Sequence, residues 1–440
     1  MNENIKNVTI NQLANMLFIP QELIQSLMVK HNLVEKRKRI FFFADFLFAC
    51  FWCLFHGVTR HQDRKSFMKR LFNVVLSNNA MSDRLSAIPS AFFSDLLKII
   101  QPQINQIPSK KKREQVKLMV RNILIEDASI FKIDNRLESI FKNIPGCKSA
   151  GLKLYLSYNI FDDNNLSASI KHARFSDMKK TGKKTKQTIE IRDRGWFSWQ
   201  NLCNYQNDGK YYISRIQRQV NPLITKVYKG DPAFIKQKFQ SLNLDGYSEV
   251  DFEIKPFRDS SGSIYRLADD TVFTLRMKGK KQDDGWYWYV MYLPNVDDLS
   301  FSDVHALYRV RWQIEEMFRE IKQAFGGDRL RLRNENSVIN HIYMMLISYL
   351  VCKCFLRVIA DVNHKSPSGF MLDTCMKGSL RHEFLSIVFH LIKNPLITKQ
   401  QLHNISKYFC ECTYSPHRAN SSRKSRLNRV MRKFEVPSNE

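Results

Sequence analysis

Hydrophobic residues recur at two different periods along this chain, and the change between them divides it. Up to about residue 116 the spacing is helical, with apolar positions on a 3.6-residue period in Leu13 to Val29 and Phe67 to Val75, and basic punctuation at Lys36 to Arg39 and Lys110 to Arg113. TINQLANMLFIPQELIQSLMVKHN, broken at Pro20, has the layout of either a helix-turn-helix or an ordinary helical bundle. From Lys117 the period shortens to two. KLMVRNILIED is a largely apolar run ending in Glu126-Asp127, and GLKLYLSYNI alternates, with Leu152, Leu154, Leu156 and Ile160 on one face. A third strand is expected through Leu166 to Phe175, and QTIEIRD gives a short strand ending at Asp193. A helical piece, WFSWQNLCNY, and another strand, KYYISRI, follow, so residues 117–216 predict a mixed sheet with helices packed on it.

Residues 217–283 predict a β-rich insertion. YSEVDFEIKPF, with Val250, Phe252 and Ile254 on one face, and DDTVFTLRMKG both alternate, with a DSSGS turn between them. Within residues 284–350, WYWYVMYLP resumes a strong strand and SFSDV opens a helix for which Ser302 is the expected N-cap. Residues 351–440 read as helical and increasingly basic, ending in SSRKSRLNRVMRKF.

The helix after SFSDV carries the sharpest chemical signal. Tyr308, Arg311, Glu315 and Lys322 are spaced Y-x2-R-x3-E-x6-K, which at about 100° per residue puts all four on one stripe roughly 60° wide. Beside it lies the apolar face of Leu307, Val310, Ile314, Met317, Phe318, Ile321 and Phe325. A carboxylate there suits a metal ion, and Arg311 and Lys322 suit phosphates. Taken alone, the commoner reading is a solvated face with helical ion pairs.

Composition shifts that balance. The 440 residues hold 69 Lys plus Arg against 42 Asp plus Glu, a formal charge of +27 spread along the chain, which makes nucleic acid the leading partner class. Nine cysteines and an N-terminus without a signal-peptide layout point to a reducing cytosol. Cys50 and Cys53 form a C-x2-C with no second ligand pair at zinc spacing, so buried thiols are favoured. The apolar runs Ile40 to His56 and Ile339 to Ala360 are interrupted by Asp45, and by Asn340, His341, Lys353 and Arg357, which favours buried helices over bilayer spans. No membrane partner is expected.

Three carboxylates stand at meaningful places: Asp127 and Asp193 at strand ends, and Glu315 on a covering helix. Carboxylates so placed can converge at one edge of a sheet and hold two divalent ions, Mg2+ or Mn2+, since the ligands are hard oxygens. Here the chain resembles the DDE transposases of the insertion-sequence-4 family. The resemblance rests on YRVRWQIEEMFREIK, on DRGWF at Asp193 and on DAS at Asp127, and covers roughly residues 120 to 350. It implies an RNase H-like core interrupted by the β-rich insertion, a helical N-terminal DNA-binding domain over 1–116, and a helical C-terminal region over 351–440 with a basic tail. It also implies Asp127, Asp193 and Glu315 as the metal-binding triad, and Tyr308, Arg311, Lys322 and Arg194 as contacts to element-end DNA. Trp288, with Trp286 as rival, would stack an unstacked base. Glu126 and Asp134 are the alternatives for the first carboxylate, because the stretch KKTGKKTKQ suggests that a core helix is reduced to a basic loop. The implied activity is cut-and-paste transposition of a bacterial insertion sequence on double-stranded DNA, by a homodimer, in the cytoplasm at the nucleoid. The alternatives are a catalytically silent DNA-binding relic and, more remotely, a membrane-associated basic protein.

Overall fold

The computed structural model describes residues 21–33, 43–58, 61–73, 75–105, 119–160, 162–175, 187–216, 220–256, 273–327, 329–394, 397–419 and 422–434. The first half of the helix-turn-helix candidate, most of KKTGKKTKQ and the DSSGS turn lie outside them.

The alternating segments assemble around one long strand, β1 (Asn122–Ile133). On one side β1 pairs antiparallel with β2 (Gly151–Asn159), which pairs antiparallel with β3 (Asp162–His172). On the other it runs parallel to β4 (Thr188–Arg192), which runs parallel to β5 (Tyr211–Arg215). The sheet continues antiparallel from β5 through β9 (Gly285–Tyr292) and β8 (Leu275–Gln282) to β7 (Glu249–Lys255) and β6 (Leu223–Lys229). The β-rich segment therefore extends the core sheet edge to edge. A two-residue strand, β10 (Arg329–Leu330), pairs parallel with the far end of β1.

The sequence places Asp127 at a strand end, but the structure sets it in the middle of β1 because β2 goes on pairing with β1 as far as Lys132. What stops beside Asp127 is β4: the β1–β4 ladder ends at Glu126↔Arg192, and β1 then turns to β10 at Lys132↔Arg329.

Among the described residues five helices precede the sheet: α1 (Gln21–Lys30), α2 (Phe43–Phe55), α3 (His61–Phe72), α4 (Asn78–Ala87) and α5 (Ser90–Asn105). One, α6 (Trp199–Asn207), joins β4 to β5. After β9 come α7 (Phe301–Arg309), α8 (Trp312–Phe325) and the long α9 (Glu335–Val362), then α10 (Leu372–Cys375), α11 (Gly378–Lys393), α12 (Lys399–Thr413), α13 (Pro416–Ala419) and α14 (Ser422–Arg432). The N-cap of α7 is Ser300, not Ser302, because Asp303 three residues on closes a reciprocal capping box with it.

The second apolar run becomes α9, which crosses the 350/351 boundary drawn from sequence and touches α2, α4, α5, α8 and α12. By length and composition it could cross a bilayer, yet 83% of its most apolar stretch is buried inside the fold. Such a helix, apolar all round, suits the centre of a bundle. Its polar residues tie it to the N-terminal helices: Asn340 Nδ2 donates to the Leu85 and Ile88 carbonyls at 3.1 and 2.8 Å, and His341 Nδ1 lies 2.8 Å from Arg64 Nη2. In α2, Cys50 and Cys53 are free, fully buried thiols, both pushed upward in pKa by that burial.

Candidate active site

Side chains alternate across a strand, so consecutive residues of β1 and β4 point to opposite faces of the sheet. Glu126 and Arg192 form the last register pair, and the next residue on each strand is an aspartate, Asp127 and Asp193. The two thus follow the last paired residues of adjacent parallel strands, Asp127 within β1 and Asp193 one residue past the end of β4. Asp193 closes β4 with an extended backbone, φ −70° and ψ 159°, ahead of the turn Arg194–Trp196.

The face carrying Asp127 is covered by α7 and α8. The predicted single helix is in fact two, separated at Val310 and Arg311, which both keep right-handed helical angles. The Tyr-Arg-Glu-Lys stripe consequently keeps its alignment and lies against the sheet. Tyr308 Oη donates to Asp193 Oδ1 at 3.4 Å. Arg311 spans two carboxylates, with Nη1 3.1 Å from Asp127 Oδ2 and Nη2 2.6 Å from Glu315 Oε1. Lys322 Nζ donates to the Ile130 carbonyl of β1 at 2.8 Å and lies 4.9 Å from the Phe131 ring centroid.

Burial raises the Asp127 pKa from 3.8 to about 6; Asp193 and Glu315 push the same way, against the Ala128 N–H at 2.7 Å and the Arg311 cation. Burial also drives the Tyr308 phenol upward, so it acts as a neutral donor. For Arg311 burial works against the charge, but Tyr308, Glu315, Asp193 and Asp127 together hold its pKa above the ordinary value.

The donor chemistry at this spot, carboxylate oxygens alone, fits a hard divalent cation. Among the described residues no three His, Cys, Asp or Glu groups already stand as a closed ligand array. Instead the Arg311 guanidinium bridges Asp127 and Glu315 and acts as their resident cation. A metal held by Asp127, Asp193 and Glu315 therefore requires Arg311 to withdraw from between two of them.

The other expected residues separate. Arg194 is exposed on the turn after Asp193. Glu126 faces the reverse side of the sheet with Arg192 at 2.6 Å, and Asp134 caps a turn through the Arg136 N–H at 3.0 Å, so neither joins Asp193 and Glu315. Trp288 does not join them either. Its neighbour Tyr289 packs on Tyr308 with ring centroids 5.1 Å apart, which turns Trp288 to the opposite face. There it stacks on Trp286 at 5.0 Å, meets Phe239 edge-on at 4.7 Å, and lies over Gly279 so closely that a Cβ there would come within 2.2 Å of the indole.

A group that sequence reasoning missed is the buried set Glu190, Arg192 and Lys210 behind the aspartates. Its signal was present in TIEIR, where two charges alternate with isoleucines in a strand buried throughout.

A family model described as the transposase DDE domain matches residues 121–351. The chain is 24% identical over 379 residues to the transposase for insertion sequence element IS231F of Bacillus thuringiensis subsp. israelensis, covering 76% of this chain and 77% of that one. To the transposase for insertion sequence element IS231E of Bacillus thuringiensis subsp. finitimus it is 25% identical over 369 residues, 72% and 73% of the two chains. The transposase for insertion sequence element IS1151 of Clostridium perfringens matches at 18% over 383 residues, 77% and 79%. Among solved structures, the piggyBac transposase synaptic complex with hairpin DNA superposes with a TM-score of 0.45 at 9% identity over 100% of this chain and 88% of that one, too distant to bear on the site. The matched span takes in β1, β4 and α7 to α8 and exceeds half the chain, and by that measure the protein belongs to the family of transposases with a DDE domain.

Proposed function

We propose that this protein is the cut-and-paste transposase of a bacterial insertion sequence, with Asp127, Asp193 and Glu315 as its metal-binding triad. The observation that carries this reading is the gathering of all three carboxylates under one pair of donors, Arg311 and Tyr308, although they lie up to 188 positions apart along the chain (315 − 127 = 188). The sheet order β3-β2-β1-β4-β5, antiparallel then parallel, supports an RNase H-like core.

Two Mg2+ or Mn2+ ions held there would supply Lewis-acid activation of the attacking oxygen and of the scissile phosphodiester. The chain's own residues do the rest. Asp127 serves as a ligand in its ionised form, which its raised pKa of about 6 depletes only on the acid side of neutrality, and Tyr308 steadies Asp193 through its hydroxyl. Arg311, released from Asp127 and Glu315, is positioned to take a backbone phosphate beside the cut, where its planar fork suits phosphate oxygens. Lys322 braces α8 on β1 and keeps Glu315 over the sheet. Attack of water on the scissile phosphodiester would leave a 3′-hydroxyl on the element end and a 5′-phosphate on the flanking DNA; that hydroxyl would then attack a phosphodiester of a second duplex, joining to its phosphorus as the target strand's own 3′-oxygen leaves. Cutting two ends calls for a homodimer, and the formal charge of +27 supports double-stranded DNA as the partner, at the nucleoid.

The test is cleavage of a supercoiled plasmid carrying the inverted repeats that flank the gene, in Mg2+ or Mn2+. Asp127→Asn, Asp193→Asn and Glu315→Gln should each abolish cleavage while end binding persists, because the basic surface is untouched. Normal cleavage by Glu315→Gln would overturn the assignment.

A further inference from the structure

A run of contacts leads outward from Asp193 along α7. Tyr308, which donates to Asp193, packs on Tyr289, and Tyr289 Oη lies 2.8 Å from His305 Nδ1. The His305 ring meets Tyr287 edge-on at 6.0 Å, and the Arg215 guanidinium of β5 sits 5.1 Å from the Tyr287 ring centroid. Burial lowers the His305 pKa, and Arg309 of α7, Arg215 and Arg426 of α14 push it the same way. Arginines from three elements therefore converge on one histidine.

The contacts of α14 fix it beside α7. Leu427, Val430, Met431 and Phe434 are buried, whereas Arg426 and Arg429 are exposed. Asp303, its side chain only 3% exposed, holds Arg429 Nη2 at 3.3 Å and Lys433 Nζ at 2.9 Å. Lys433 Nζ also donates to the Asp298 carbonyl at 2.6 Å, and the Phe434 carbonyl accepts from the Met119 N–H at 2.9 Å. The helix is thus fastened to the start of α7 and to the backbone just before β1. Arg192, Arg276 and Arg311 each have a carboxylate partner. Among the described residues no carboxylate lies within ion-pair distance of Arg215, Arg309 or Arg426, and the nearby Asp303 is already taken by Arg429, Lys433 and the Ser300 cap. Like charges gathered in this way repel one another unless a polyanion takes them up.

We propose that α14, fastened by Asp303, is a DNA-binding element: Arg426, with Arg309 and Arg215, carries the phosphate backbone of the donor duplex where it runs past the triad on the α7 side. The inference rests on the reading of Asp127, Asp193 and Glu315 as the place of cutting. The donor duplex is the partner that fits, because it must be seated across the triad before the first cut and extends beyond the site on both sides. α14 itself lies outside residues 121–351, the span that matches the transposase DDE domain.

The test measures binding of the full chain by fluorescence anisotropy over a salt series in chelator. Two duplexes are compared: the inverted repeat ending at the cut, and the same repeat extended into flanking DNA. Arg309→Gln and Arg426→Gln are set beside Lys399→Gln/Lys407→Gln, which removes two exposed charges from α12, with the fold of each checked by circular dichroism. Each arginine variant should lower the slope of log K against log salt by about one unit, the mark of one lost phosphate contact, while the α12 variant keeps the wild-type slope. A change confined to the extended duplex puts flanking DNA on α14, and a change on both puts the element end there; either supports the proposal. Wild-type slopes on both duplexes would overturn it, even if strand transfer into a target plasmid fell, since the surface would then serve the target. An equal loss in the α12 variant would overturn it too, by reducing the effect to net charge. Binding in chelator does not depend on the triad, so normal cleavage by Glu315→Gln would sink the triad reading alone, whereas unchanged slopes would sink only the role of α14.

Discussion

Arg311 offers the most direct check on the site's electrostatics, because its guanidinium has opposite consequences before and after metal enters. It lies 3.1 Å from Asp127 and 2.6 Å from Glu315, and its own side chain is 12% exposed, against 19% and 35% for the carboxylates. Removing one partner of a fully buried, hydrogen-bonded charge pair costs about 2–5 kcal/mol, and the exposure of Glu315 brings the expectation to the low end, about 2 kcal/mol. Arg311→Ala should therefore lower the stability of metal-free protein by about that amount, since Asp127 and Glu315 are left facing each other uncompensated. If a metal must displace Arg311, the same energy reappears with the opposite sign in metal affinity. A 2 kcal/mol gain corresponds to about 30-fold tighter Mn2+ binding without DNA. Cleavage should nonetheless fall, because the side chain that would hold the phosphate is gone. Urea denaturation in chelator, Mn2+ titration by electron paramagnetic resonance, and single-turnover cleavage together read all three quantities. Unchanged stability with unchanged Mn2+ affinity would refute the view that Arg311 is the resident cation of this site.

Two further predictions concern neighbouring groups. The Asp127 pKa is raised from 3.8 to about 6, so the folded chain binds that proton more tightly than the unfolded chain does. The associated stabilisation, about 3 kcal/mol, is present below pH 4 and lost as pH rises through 6; in chelator, urea midpoints between pH 4.5 and 7 should fall with a slope that Asp127→Asn removes, and an identical slope in that variant would contradict the assignment. Trp288 is packed between Trp286, Phe239 and Phe252, so Trp288→Ala should cost stability toward the lower end of about 3–5 kcal/mol, whereas Trp288→Phe should retain end cleavage; selective loss of cleavage in Trp288→Phe at wild-type stability would return it to the DNA.

What the chain discloses before folding is decided by which physical constraint is local. Strand alternation is local, so β2, β4, β5, β7, β8 and β9 are legible as short alternating or apolar runs. The end of a strand is not, because it depends on which neighbours go on pairing. Asp127 looks terminal in KLMVRNILIED, yet β2 goes on pairing with the strand five residues further, to Lys132 (132 − 127 = 5). Helical spacing is local in the same limited sense. It makes Tyr308, Arg311, Glu315 and Lys322 neighbours, and it holds even across the break at Val310 and Arg311. It does not say what lies opposite. Read alone, the stripe looks outward to phosphates; in the fold it looks inward, and three of its members contact Asp193, Asp127 and a β1 carbonyl. The parity of β9 is the same problem on a strand, since alternation separates Trp286 and Trp288 from Tyr287 and Tyr289 but only the packing of Tyr289 on Tyr308 shows which set shares the face of the site. Charged residues inside a short strand are the least legible case. Glu190 and Arg192 pass for a solvent face until β1 supplies Glu126 at the register position beside Arg192, and that pairing depends on a strand more than 60 residues earlier (192 − 126 = 66).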